Sequence, residues 1–269
     1  MKINKRKWAI AGTIVLWIGI ITYLTITIAF VKNKRDDVVC RKVQVVIADS
    51  LSNRFVNKDD IIRMANKEVS QLVGTRINKI NTHKIEKRLN QLELLKNAEV
   101  YSSATGVLTI KVEQRDAIMR IYNANGTSCY IDEDGYIIPL SARYAANVII
   151  VNGNVSLKKS SEGRSRIFGN NSDSSERKGL LCDLYNFVRF IRADKFWNSQ
   201  IVQIYVNSPK DIELTTRVGN HTIQMGSLDG YEAKLKKLFA FYTNALPVEG
   251  WNTYGVINLK YENQVICKK

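Results

Sequence analysis

Histidine and proline are scarce in this chain, with two histidines (His83 and His221) and three prolines in 269 residues. The four cysteines, Cys40, Cys129, Cys182 and Cys267, are widely spaced and match no metal-binding pattern. Their parity allows two disulfides without requiring any, and free thiols are the simpler reading. No HExxH, CxxC or GxSxG motif occurs, and no glycine-rich loop would cradle a phosphate. Ser227 stands near Asp229, but it precedes a predicted helix, and helix-entry geometry accounts for it. The run Asp132-Glu133-Asp134 reads as turn chemistry rather than a metal site. These absences argue against an enzyme and against any cofactor or metal. Acidic residues are also short, 25 against 40 lysines and arginines, for a formal charge of +15. The basic residues are dispersed, with no arginine-rich arm, zinc fingerprint or RNP-like aromatic run. They describe a solvated surface rather than a nucleic-acid site.

What the sequence has is one long apolar run, Trp8 to Val31, without Asp, Glu, Lys, Arg, Pro, Asn or Gln. As a helix it would be about 36 Å long, enough to cross a hydrocarbon layer of about 30 Å with some tilt. Its threonines and Tyr23 can bond the carbonyls of the preceding turn. A cleaved signal peptide fits poorly, because Ala29-Phe30-Val31 followed by lysine is no cleavage site. The run reads as a single membrane anchor with a tail of residues 1–7. Basic residues crowd both flanks, so charge favours a cytoplasmic N-terminus only slightly.

Beyond the anchor, hydrophobic content of 45% predicts folded material, one large domain or two small ones. Val43, Val45 and Ile47 alternate as in a half-buried strand. Asn57 stands before Asp59, Asp60, Ile61, Ile62 and Met64, a helix start with acids in its first turn, and Gly74 marks that helix's exit. A second helix begins at Asn81 or Thr82 and carries Ile85, Leu89, Leu92 and Leu95 at helical spacing. Two strands follow, Ala98 to Tyr101 and Val107 to Glu113. Residues 117–153 read as short strands, with Asn125-Gly126 and Asp134-Gly135 as hairpin turns. Residues 154–178, rich in Ser, Asn, Lys and Arg, read as an exposed, flexible insertion. A helix over Leu180 to Ala193 precedes strands at Ile201 to Val206, Ile212 to Thr216 and His221 to Met225. Asp229 opens a helix that runs through Leu246. Two strands, Val256 to Tyr261 and Gln264 to Ile266, end the chain. Both histidines are expected at the surface.

The whole pattern resembles the bacterial cell-division family FtsQ/DivIB. Val43 to Ile47 followed by Asp59-Asp60-Ile61-Ile62 is similar to the opening strand and helix of a POTRA domain. Leu95 to Val100 resembles the family's "L…P.V..A.V" segment, with Lys96-Asn97 where proline is common. Leu108 to Ala117 resembles "L.I.V.ER.P.A", departing at Gln114 and Asp116. Tyr130 to Ile137 matches "liD..G.v", and Val256 to Tyr261 is similar to "iDLRY", with Asn258 for Asp and Lys260 for Arg. The resemblance covers nearly the whole length, and the basic insertion is not part of it. It implies an α+β protein with an N-terminal transmembrane helix (8–31), a β-α-α-β-β POTRA domain (40–114) and a mainly antiparallel C-terminal β domain with flanking helices (115–269). It further implies a non-enzymatic, single-pass type II protein of the cytoplasmic membrane, its main domain outside, enriched at the division septum. FtsB-like and FtsL-like proteins would be its partners, with FtsK, FtsW and FtsI homologues beside them.

In the family the C-terminal strands lie at a sheet edge where FtsB adds a strand. The implied partner-binding residues are Ile257, Asn258, Leu259, Lys260, Tyr261 and Val265. By alternation Ile257, Leu259 and Tyr261 share one face. Tyr261 would anchor the partner and Lys260 would meet an acidic group; burial of these apolar residues as mere core is the competing reading. Two other functions compete with the scaffold. A secretion or outer-membrane assembly factor uses the same module, with several copies or a following barrel. A reversed anchor would leave a basic domain in the cytoplasm to bind nucleic acid.

Overall fold

The structure is a computed structural model that describes residues 5–36, 38–48, 54–67, 71–157, 164–168 and 179–269. Side chains of the first helix are described over residues 12–28 only. The polar loop 49–53 and most of the basic insertion lie outside the described residues. The chain divides into two compact units, one of residues 1–48, 57–90 and 97–112, the other of 49–56, 91–96 and 113–269.

The first unit begins with α1 (Lys5–Asp36). Thr22, Thr25 and Thr27 bond the carbonyls of the preceding turn. Among the described residues, no helix is long and apolar enough to cross a membrane. Strand β1 (Lys42–Ile47) is followed by α2 (Lys58–Asn66), whose start follows from local chemistry. The Asn57 side chain accepts the Asp60 N–H at 2.8 Å, and the Asp60 carboxylate accepts the Asn57 N–H at 3.4 Å. The helix buries Ile61 and Ala65, with Ile62 half-buried. A single 3-10 turn (Ile77–Lys79) leads to α3 (Thr82–Leu89), capped by Asn81 and burying Ile85 and Leu89. Leu95 does not belong to this helix. It opens β2 (Leu95–Ser102), which with β3 (Val107–Gln114) completes a sheet ordered β1-β3-β2. Strand β1 runs parallel to β3.

The second unit is built on a nine-stranded sheet. Its strands are β4 (Ala117–Tyr122), β5 (Ser128–Asp132), β6 (Ile137–Ile138), β7 (Ile149–Gly153), β8 (Ile201–Ser208), β9 (Asp211–Thr216), β10 (Thr222–Gly226), β11 (Val256–Asn258) and β12 (Ile266–Lys268). The spatial order is β12-β11-β10-β9-β8-β7-β4-β5-β6. Most neighbours are antiparallel, but β4–β7, β7–β8 and β10–β11 are parallel. Two long helices, α4 (Leu180–Ala193) and α6 (Tyr231–Asn244), and two short ones, α5 (Lys195–Gln200) and α7 (Leu246–Glu249), supply the apolar partners. Leu184, Phe187, Val188 and Ile191 of α4, with Leu235 and Leu238 of α6, share one core with Ile204, Val206, Leu214, Ile223 and Ile257. Along β8 and β9 every core residue is followed by a more exposed one, the signature of a sheet with one wet face. The helix over 231–244 is preceded by Gly230, without a side-chain cap, so Asp229 is not its N-cap.

Two placements correct the sequence reading. His221 is buried at 3% exposure, not at the surface. Its Nε2 meets the Tyr242 hydroxyl at 2.6 Å, and that hydroxyl also lies 3.1 Å from Thr216 Oγ1. Burial lowers the His221 pKa and pushes the Tyr242 phenol up to about 12. The second correction concerns the basic insertion. Residues 164–168 are bonded to the body of the domain rather than extended into solvent. The Ser165 carbonyl accepts the Ile137 N–H, and the Ile167 N–H donates to Gly135, continuing the sheet beyond β6. Arg164 donates to the Leu95 carbonyl at 2.8 Å, and Phe168 packs edge-on against Tyr185. Gly135 has φ +79°, and a Cβ there would meet the Phe168 ring at 2.8 Å. The segment is held by main-chain bonds, by Arg164 and Arg166 on the Leu95 and Asp134 carbonyls, and by one ring, which composition does not reveal.

Candidate partner-binding edge

The turn that resembles "liD..G.v" is a structural knot. The Asp132 carboxylate accepts the N–H groups of Asp134 and Tyr136 at 2.9 and 2.7 Å and pairs with Arg115 at 2.5 Å. Both charged side chains are at most 3% exposed, and the Arg115 guanidinium lies 3.9 Å over the Tyr136 ring. Asp132 is thus a buried, fully engaged turn residue and not a solvated one. Close to it in sequence, Gln114 Oε1 accepts the Val56 N–H at 2.9 Å. Among the described residues no cluster of His, Cys, Asp or Glu has the makings of a metal site. Asp229 and Ser227 meet only through a backbone N–H, in the turn before α6. None of the four cysteines is in a disulfide; three are buried and Cys267 is half-buried.

At the other end of the sheet, the parallel pairing of β10 with β11 spans α6 and α7, a crossover of the kind parallel strands require. The last residues then fold back antiparallel as β12. Strand β11 is therefore flanked on both sides, and the open edge is β12, one strand further out than Val256 to Tyr261. Ile257 and Leu259 are buried at 0% and belong to the core. The Asn258 amide bonds Gln224 Oε1 at 3.2 Å, and the Leu259 N–H donates to the Gln224 carbonyl. Lys260 is committed within the chain: its Nζ lies 2.7 Å from Asp211 Oδ1. Tyr261 is 52% exposed and does not share the buried face of Ile257 and Leu259, because the chain leaves the strand after Asn258. Lys237 holds the Tyr261 carbonyl. Val265 is half-buried just before β12, and Ile266 in β12 is 37% exposed.

Of the residues picked from sequence, Tyr261 is exposed in the connection between β11 and β12, Val265 is half-buried just before β12, and Ile257 and Leu259 are core. Ile266, Cys267 and Lys268 were missed as the edge itself. The signal that would have found them is the intervening helix. A helix between two strands is the usual crossover of parallel neighbours, the connection that sets β11 beside β10 and leaves the final hairpin strand outermost.

Two family models match the chain. One, described as FtsQ/DivIB, C-terminal related, covers residues 116–268, and a POTRA-like domain covers residues 38–113. No curated protein sequence matches it. The first match spans more than half of the chain, and it embraces the buried Asp132 turn and the β10–β12 edge together. The chain belongs to the FtsQ/DivIB family of cell-division proteins.

Proposed function

We propose that this protein is a membrane-anchored, non-enzymatic scaffold of the division septum that captures FtsB- and FtsL-like partners by strand addition to β12. FtsK, FtsW and FtsI homologues are the further partners of this reading. The observation that carries it is the outermost position of β12, with Ile266 exposed in that strand and Tyr261 exposed in the connection leading to it. An incoming strand gains a ladder of main-chain hydrogen bonds there, while alternate side chains supply specificity. Tyr261 suits the anchoring role, because a large ring offers contact area while its hydroxyl stays wet. The POTRA-like domain over 40–114 and the β domain over 115–269 form the part outside the cytoplasm.

Residues 8–31 are the anchor in this proposal. Support comes from α1 itself: Ile14, Val15, Leu16, Trp17, Ile18, Ile21, Leu24, Ile26 and Ile28 are all exposed, so apolar side chains point to every side with nothing covering them. Such a surface is stable only in an apolar surrounding.

Two variants of the full chain test the edge. Tyr261→Ala is expected to weaken FtsB-like binding by at least tenfold, the loss of one interfacial anchor of about 1.4 kcal/mol or more. Removal of residues 265–269 is expected to abolish binding while the far-UV circular dichroism stays native. Full affinity in both variants would move the partner site elsewhere.

A further inference from the structure

The residues where the chain leaves α1 form a second surface that the edge-strand reading does not use. Val39 bridges Arg76, and the Ile77 N–H donates to the Val38 carbonyl at 2.9 Å. The Cys40 N–H donates to Thr75, and the Gly74 N–H to Cys40, both at 2.8 Å. These bonds tie residues 38–41 side by side with residues 74–77, and α1 runs beside the Ile77–Lys79 turn. The tie brings Arg41, Lys42, Arg76 and Lys79 together, and all four are exposed. Among the described residues none of them is paired with a carboxylate. Val39, 38% exposed, and Val73, 47% exposed, lie on the same two tied segments. In sequence the stretch 32–42 adds Lys32, Lys34 and Arg35 against Asp36 and Asp37.

We propose that Arg41, Lys42, Arg76 and Lys79, with Val39 and Val73, form a docking face for anionic phospholipid headgroups at the base of the first unit. The proposal rests on the reading of α1 as a membrane anchor. That reading puts this face at the level where hydrocarbon gives way to headgroups, since its first residue, Val39, stands eight residues past Val31 and α1 runs beside the Ile77–Lys79 turn. Exposed cations without internal partners lose little on meeting phosphates, and small apolar side chains enter the acyl boundary. Four dispersed surface cations would bring no such placement. Here main-chain bonds gather them from two separated stretches of sequence. The effect is to fix the tilt of the first unit on the membrane rather than to add anchorage.

The test uses the full chain in nanodiscs, made of phosphatidylcholine alone or of phosphatidylcholine with phosphatidylglycerol. A spin label at Asn78→Cys reads depth at the Ile77–Lys79 turn, and one at Tyr23→Cys reads α1. Both carry Cys267→Ser, since the other thiols are buried. The Asn78 label is expected to gain oxygen accessibility severalfold in the anionic discs over the neutral ones. The gain should vanish in high salt and in the variant with all four cations changed to Gln. A Tyr23 label in hydrocarbon with an Asn78 label indifferent to lipid charge overturns this face and leaves the anchor standing. A Tyr23 label in water overturns the anchor and this proposal with it.

Discussion

Strand β2 in the first unit and strand β12 in the second are both outermost strands, yet their main chains meet different neighbours. On β2, the Asn90 side chain takes the Ala98 N–H and gives its own amide to the Ala98 carbonyl, both at 2.9 Å. The Glu86 carboxylate accepts the Val100 N–H at 3.2 Å. Helix α3 thus seals the edge with two side chains. On β12, among the described residues, no side chain bonds to the main chain from outside. An edge with its donors and acceptors satisfied offers an incoming strand nothing, while an open one is a template. Both strands carry charged side chains, Lys96 and Glu99 on β2 and Lys268 on β12, so charge on the edge does not make the difference. The difference lies in whether a helix passes close enough to spend side chains on the backbone.

Variants can break or sharpen that contrast. The largest effect is expected from Ile257→Asp in β11. Ile257 faces the core at 0% exposure, so the carboxylate should cost several kcal/mol and unfold the β10–β12 region, read as loss of near-UV circular dichroism and a lowered urea midpoint. Next comes Asn90→Ala, which unseals β2 and orphans two half-buried main-chain groups. About 1–3 kcal/mol should be lost in urea titration, and self-association through the opened edge should rise. Asn90→Asp, which keeps the acceptor, should recover part of the loss.

Acid probes the other sheet. The His221 pKa is lowered in the folded state from its ordinary 6.5 by burial, so the unfolded chain binds the proton more readily. Its contribution is unchanged above 6.5 and is lost as pH falls from there toward the depressed folded value. His221 immediately precedes β10, so the β10–β12 end should loosen while the β2 edge does not. Hydrogen exchange at pH 7 and pH 5 reads this, and His221→Phe should flatten the difference. The smallest effect belongs to Lys260→Ala. Its pair with Asp211 is partly exposed at 38% on each side, so less than about 1 kcal/mol is at stake. If Lys260 met a partner's carboxylate instead, that variant would lose affinity with no change in stability.

Local patterns carried far where the governing interactions were local. Asn57 and Asp60 announce a capping box within four residues, and the apolar spacing over Leu180 to Ala193 gives α4 to the residue. The Asp134-Gly135 turn was legible because its one positive φ falls on Gly135, which bears it without strain. Partial failures have equally specific causes. Of the apolar residues that open α2, Ile61 is buried and Ile62 only half-buried, because a nine-residue helix leaves the stripe's centre to its packing partner. Leu95 continued a helical spacing but went to β2, where strand pairing outweighs a single residue's fit to the stripe.

The sequence by itself determined the apolar run, the helix starts at Asn57 and Asn81, the hairpin turns and the family, since each is written in contiguous residues. Tertiary structure alone decided which strand is outermost, that Asp132 and Arg115 are buried together, that His221 is inside, and that residues 164–168 dock on the Asp132 turn. It also closed the β2 edge with Asn90 and paired Lys260 with Asp211. The physical reason is the same in each case. A main-chain donor or a charged side chain is satisfied by whichever group the fold brings near it, and here those groups come from helices and loops elsewhere in the chain.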